Sequence, residues 1–234
     1  MITLHHFQPY HGLPDPSPFC LKVDLYLRAA GLEYRREPGL HNMRRAPKHK
    51  LPFITDGTRA VPDSQFIIAY LKQQYGDPLD GALDAKQRAI AHAFIKMMDE
   101  DLYWCAVHAR WVDEAVWPVV KNEFFGAMPV PLRLIVPALA QRNVRKSLYR
   151  QGLGRHSHAE ILDIARRDLT ALSDLLGTRD YFLSERMTTL DVTAFAFLAE
   201  LIIPPHHGDL MKLARTFANL VHFTDRVKQK YYPA

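Results

Sequence analysis

At 234 residues, with 48% apolar and 24% charged residues, the chain has the length and composition of one large or two modest globular domains with a real core. A net charge of +5 is too small an excess for this length to mark a nucleic-acid binder. The two cysteines, Cys20 and Cys105, exclude a disulfide framework and point to a reducing compartment.

Residues 1–6, Met-Ile-Thr-Leu-His-His, show none of the charged and apolar regions of a signal peptide, so the expected location is the cytoplasm. They lead into a predicted strand over residues 2–7, followed by a long connection, 8–16, that carries Tyr10 and His11. A helix is predicted over 21–30, strands over 34–37, 53–55 and 59–61, and a helix over 64–75. The basic run between Arg35 and Lys50 reads as a solvated loop, or as a surface that draws in a small anion. Residues 76–81 are rich in turn formers, which divides the chain into an α/β unit (1–76), a linker (77–83) and an all-helical unit (84–234).

In the second unit the helix ends are marked. Ser157 and Glu160 form a capping box closed by Gly177, and Thr188 with Asp191 forms another. The second box precedes a segment, 191–203, that is apolar all round and is therefore expected at the centre of a helical bundle. Glu200 and Pro204-Pro205 make that stretch too short to span a bilayer, so no membrane anchor is expected.

Ser17-Pro18-Phe19-Cys20 lies between the first strand and the first helix, where a thioredoxin-like domain keeps its C-x-x-C pair. Ser17 suits the N-cap and Pro18 the first helical position. A thiolate placed there would meet free backbone N–H groups, the positive end of a helix dipole and a hydroxyl donor. A free thiol of pKa about 8.5 is only about 3% thiolate at neutral pH, and lowering that pKa by about two units takes about 2.7 kcal/mol. A hydrogen bond to the anion contributes about 1.5–3 kcal/mol and the helix terminus roughly 0.3–1 kcal/mol, which is enough. The plainer alternative is that Ser17 only caps the helix.

Leu51-Pro52 stands directly before a strand, a plausible cis site that would turn the Leu51 backbone toward an extended ligand. Asp63 and Ser64 open the next helix and match the carboxylate and ammonium of an amino-acid end; here too a capped helix is the plainer alternative. Cys20, at the third helical position, reads as a buried thiol, with a nucleophilic role as the alternative. Tyr103, Trp104, His108 and Trp111 follow one another on one helix, as core or as the lining of an apolar pocket. The histidine pairs His5-His6, His206-His207 and His156/His158 lack metal-ligand spacing, and no metal is expected.

Taken together, Ser17-Pro18-Phe19-Cys20, Leu51-Pro52-Phe53-Ile54 and the Asp63-Ser64 helix start resemble, in order and spacing, the glutathione site of the glutathione transferase superfamily. The likeness extends over nearly the whole chain: Thr188 to Asp191 resembles that family's C-terminal capping box, and residues 217–227 its closing helix. Ser-Pro-Phe-Cys-Leu-Lys-Val and Gly154-Arg155-His156-Ser157 with Glu160 are most similar to the failed-axon-connections and metaxin-like branch.

The resemblance implies a thioredoxin-like domain that binds glutathione as co-substrate and an all-α domain that supplies the second pocket. It also implies a homodimeric detoxification enzyme with no bound metal or prosthetic group. Ser17 would contact the glutathione sulfur, with Tyr10 as the alternative. Leu51 would pair with the cysteinyl unit, Pro52 would be the cis-proline, Asp63 and Ser64 would hold the γ-glutamyl end and Lys50 the glycyl carboxylate. The expected function is conjugation of glutathione to an apolar electrophile. The alternatives are a non-catalytic binding or scaffold protein, and glutathione-dependent disulfide or peroxide reduction through Cys20.

Overall fold

Strand β1 (Ile2–His6) is buried along its whole length, which fits a central strand covered on both faces. It pairs in parallel with β2 (Tyr34–Pro38) and antiparallel with β3 (Phe53–Asp56), and β3 pairs antiparallel with β4 (Arg59–Pro62), in the sheet order β2-β1-β3-β4. Gly57, at φ 57°, makes the tight turn between β3 and β4. This computed structural model describes residues 1–233.

Helices α1 (Pro18–Ala29), α2 (Asn42–Arg45) and α3 (Ser64–Tyr75) complete the first unit. The first helix begins earlier than its apolar pattern suggests, because Pro18 occupies the first turn where its missing N–H is no loss. The short α2 interrupts what reads as a loop in the sequence, and it is tied down by buried Asn42, whose Nδ2 donates to the Glu37 carbonyl at 2.8 Å.

The rest of the described chain is helical: α4 (Ala85–Met97), α5 (Tyr103–Trp111), α6 (Trp117–Phe125), α7 (Val130–Gln151), α8 (His158–Leu176), α9 (Thr189–Ile202), α10 (Asp209–Arg215) and α11 (Ala218–Tyr231). Capping boxes open α4 (Asp84 with Gln87), α8 (Ser157 with Glu160) and α9 (Thr188 with Asp191). Every residue of α9 is buried, as its unbroken apolar composition requires. Asp191 does more than cap, since its Oδ1 also accepts from the Phe182 amide at 2.8 Å. A single buried apolar cluster joins the sheet and α1 to the helices around α9. Among the described residues no helix is long and apolar enough to cross a membrane.

Between α4 and α5 the helix widens into one π-helical turn, Met98–Leu102. Such turns insert an extra residue and re-aim the side chains around them. Here Asp99 is buried against the first unit, with its two oxygens 2.8 and 2.9 Å from Nζ of Lys22 on α1, and Gln65 Nε2 of α3 donates to it at 2.6 Å.

Candidate functional site

The site is organised by a residue absent from the sequence reading. Asp15 is buried just before α1: its Oδ1 accepts from the Ser17 amide at 2.7 Å, its Oδ2 accepts from the Phe7 amide at 2.7 Å, and Oδ2 lies 3.0 Å from His6 Nδ1. Ser17 has the extended backbone of an N-cap (φ −104°, ψ 123°), yet its side chain makes no capping hydrogen bond. The plainer reading of Ser17 therefore does not describe it. Its half-buried hydroxyl stands at the positive end of the helix without a capping bond, beside the Cys20 thiol.

Cys20, one turn on, is fully buried among Ala46, Leu51 and Phe53. Burial holds its thiol well above the ordinary value; the Asp15 charge adds to this and the Ser17 hydroxyl opposes it. It is a protonated packing residue, which weakens the redox alternative.

The packing of Leu51 on Cys20 brings the 51–52 segment to the first turn of α1. The Leu51–Pro52 peptide is cis. The Leu51 backbone makes no backbone hydrogen bond among the described residues, so its N–H and C=O are available to an extended ligand. The Pro52 carbonyl accepts from the Asp63 amide at 3.3 Å, which places the start of α3 beside it.

Asp63 has a left-handed backbone (φ 76°), a conformation that costs a non-glycine residue about 1–3 kcal/mol and concentrates at functional sites. Its Oδ1 accepts from the Gln65 amide at 3.0 Å; Oδ2 is exposed and lies 4.0 Å from Lys48 Nζ. Ser64 is buried at the first position of α3, and Lys50 is exposed beside Leu51. The packing of Leu51 with Cys20 on the first turn of α1 and the Pro52–Asp63 hydrogen bond thus bring these segments together, with Lys50 and Ser64 adjacent to them in sequence.

Tyr10 is committed elsewhere. Its hydroxyl donates to Glu123 Oε2 at 2.6 Å, and burial together with that bond pushes the phenol far above its ordinary pKa. A phenol that gives its proton to a carboxylate is a poor donor to a thiolate. The aromatic series on α5 divides: Tyr103 meets Phe19 edge-on at 4.8 Å across the two units, whereas Trp111 stacks on Trp117 of α6 at 5.4 Å. Tyr103 and Phe19 thus form an apolar wall next to Ser17.

Sequence reasoning missed Asp15, Lys22, Gln65 and Asp99. Asp15 left a signal, an aspartate two residues ahead of a helix N-cap, the spacing of an Asx turn. Asp99 left none, because its partner Lys22 is 77 residues away.

The profile of the glutathione S-transferase N-terminal domain matches residues 18–116, and that of the glutathione S-transferase C-terminal domain matches residues 165–227. The chain is 34% identical over 238 residues to the isoprene-epoxide glutathione S-transferase of Rhodococcus sp. (strain AD45), covering 99% of both chains. It belongs to the glutathione S-transferase family. It is also 33% identical to failed axon connections of Drosophila melanogaster, covering 100% of this chain and 58% of that protein, and 29% identical to metaxin-3 of Xenopus laevis, covering 99% and 77%.

Solved glutathione S-transferase structures share its fold. The beta-etherase LigF of Sphingobium sp. strain SYK-6 matches with a TM-score of 0.66 at 18% identity over 99% of this chain and 96% of that one. A Methylobacterium radiotolerans glutathione S-transferase in complex with glutathione sulfonate matches with a TM-score of 0.61 at 19% identity, over 99% and 94%. The family N-terminal profile begins at Pro18, directly after Ser17.

Proposed function

We propose that this glutathione S-transferase family member binds glutathione with its sulfur at Ser17 and conjugates it to a small apolar electrophile. The observation that carries this is the uncapped start of α1: Asp15 fixes the Ser17 backbone through its amide, and the Ser17 side chain makes no capping hydrogen bond, which supports its hydroxyl as a donor to a thiolate. The unpaired Leu51 backbone would hold the cysteinyl unit. Asp63 and Ser64 would meet the γ-glutamyl end, with the exposed Asp63 carboxylate on its ammonium, and Lys50 would face the glycyl carboxylate.

The thiol proton leaves to solvent and the thiolate attacks carbon. For an epoxide, the class named for the Rhodococcus relative, the C–S bond forms as the C–O bond breaks, and the alkoxide takes a proton from water. The gain comes from thiol ionisation and from holding the two reactants together. Ser17→Ala is expected to raise the pKa of bound glutathione, read from thiolate absorbance, by about one to two units, matching the loss of a charge-assisted hydrogen bond of about 1.5–3 kcal/mol. Turnover of an epoxide or aryl halide should fall at neutral pH and recover partly at higher pH. An unchanged thiol pKa in Ser17→Ala would remove Ser17 from the reaction.

A second reading, binding without turnover, has its own observation. Val130, Leu134, Ile135 and Leu139 project from α7 into solvent, and exposed apolar faces of this kind are usually covered by a partner. Wild-type protein that binds neither glutathione nor its sulfonate in calorimetry would favour it.

A further inference from the structure

Away from Ser17, three potential ligands converge where the entry loop meets the helical unit. His11 Nε2 lies 2.8 Å from Glu123 Oε1, and His206 Nε2 lies 3.2 Å from Glu123 Oε2. The three ligand atoms are all within 4.8 Å of one another. We propose that His11, Glu123 and His206 form a site for a divalent transition-metal ion of the zinc class, bound through two imidazole nitrogens and one carboxylate with a further position open.

The geometry needs little adjustment. An ion about 2.0–2.1 Å from nitrogen and oxygen ligands in a tetrahedral arrangement sets those atoms about 3.3 Å apart. The His206–Glu123 spacing is already close to that value, and the His11–Glu123 pair must open slightly. Both rings present Nε2, and an imidazole–carboxylate set suits zinc better than magnesium or calcium, which take oxygen ligands.

The ligands are held from outside. His11 sits in a left-handed conformation (φ 47°) inside a tight turn closed by two 2.9 Å hydrogen bonds between Tyr10 and Leu13. Tyr10 donates to Glu123 Oε2 and orients the carboxylate, the outer-shell contact that metal-bound carboxylates usually have. The His206 carbonyl accepts from Arg215 Nη1 at 2.7 Å, which holds the loop after α9.

The His206 side chain is only 1% exposed and its Nδ1 has no partner, so the ring's hydrogen bonding is through Nε2, the nitrogen offered to the ion, toward Glu123 and Tyr10. Arg110, whose guanidinium lies 6.0 Å from the Tyr10 ring, is bound to Glu200 at 2.5 Å. An ion here would clamp the entry loop, six residues before Ser17, to α6 and to the segment after α9. This proposal is independent of where glutathione binds.

The test uses untagged protein stripped with a chelator and dialysed. Zn2+ titrated by calorimetry is expected to bind at one equivalent and to raise the melting temperature. Co2+ in its place should give the intense visible absorption of a four- or five-coordinate site. His11→Ala and His206→Ala should each weaken Zn2+ binding at least about 100-fold, and Tyr10→Phe by about 10–100-fold, as expected for an outer-shell partner. If the buried His206 variant fails to fold, the His11 variant on the exposed loop decides alone. Absence of stoichiometric binding, or one-equivalent binding unchanged in His11→Ala, overturns the proposal.

Discussion

Two aspartates show how much a single carboxylate depends on what surrounds it. Asp15 is buried but receives two amide hydrogen bonds and the His6 ring, and through them it fixes the backbone on either side of the entry loop. Asp168 on α8 is also buried, and its Oδ2 has no partner. Burial, and then the charge of Asp101, push its pKa from 3.8 up to about 7. The folded protein therefore keeps this proton up to about pH 7, whereas the unfolded chain loses it near its ordinary value. Its contribution is fully present at low pH, declines as pH rises between these values, and stays lost above them. Asp168→Asn should match the wild type near pH 4 and be more stable by roughly 1–3 kcal/mol at pH 8, measured by urea unfolding at both. A difference that does not vary with pH would show that Asp168 does not titrate in that window.

The widened turn between α4 and α5 does at the level of an element what no local signal announces. Inserting it aims Asp99 at Lys22 and Gln65, so α1 and α3 are pinned to the helical unit by a buried charge next to the candidate glutathione site. Burial holds the Lys22 pKa below its ordinary value, and Asp99 opposes that. Breaking such a pair from one side leaves an uncompensated charge. Lys22→Met is expected to cost about 3–5 kcal/mol in urea unfolding, and Lys22→Met with Asp99→Leu should recover a large part, since the pair's net contribution is small once its desolvation is counted. A neutral Lys22→Met would mean that Asp99 is satisfied without the lysine.

For the molecule as a whole, family membership and the exposed apolar side chains point to assembly. Phe66 on α3 is 63% exposed in the first unit, with Lys48 Nζ 4.7 Å from its ring, and the apolar face of α7 is exposed in the second. A two-fold pairing of the first unit with the helical unit of another copy would cover such groups isologously. Light scattering at micromolar concentration is expected to give twice the 26.9 kDa mass of the chain, with Phe66→Ala shifting it toward monomer. A monomer in the wild type would count against this assembly and leave the α7 face for a different partner.

What the sequence determined by itself was whatever depends on neighbours along the chain. The strands, the α3 span, the two capping boxes called from Ser157 and Thr188, and the burial of α9 all follow from spacings of a few residues, because caps, turns and amphipathic periods are local. The Ser17, Leu51-Pro52 and Asp63 motifs were legible for the same reason. Only the tertiary structure decided which of these groups is free to act. The Ser17 amide is held by Asp15 while its side chain makes no cap; Tyr10 is occupied by Glu123, 113 residues away; Lys22 is neutralised by Asp99, 77 residues away. His11 and His206 belong to unrelated stretches of sequence and meet only because α6 brings Glu123 between them. Polar side chains buried in a core must find partners wherever the packing puts them, and that choice of partner is set by the three-dimensional arrangement of elements, which no local spacing encodes.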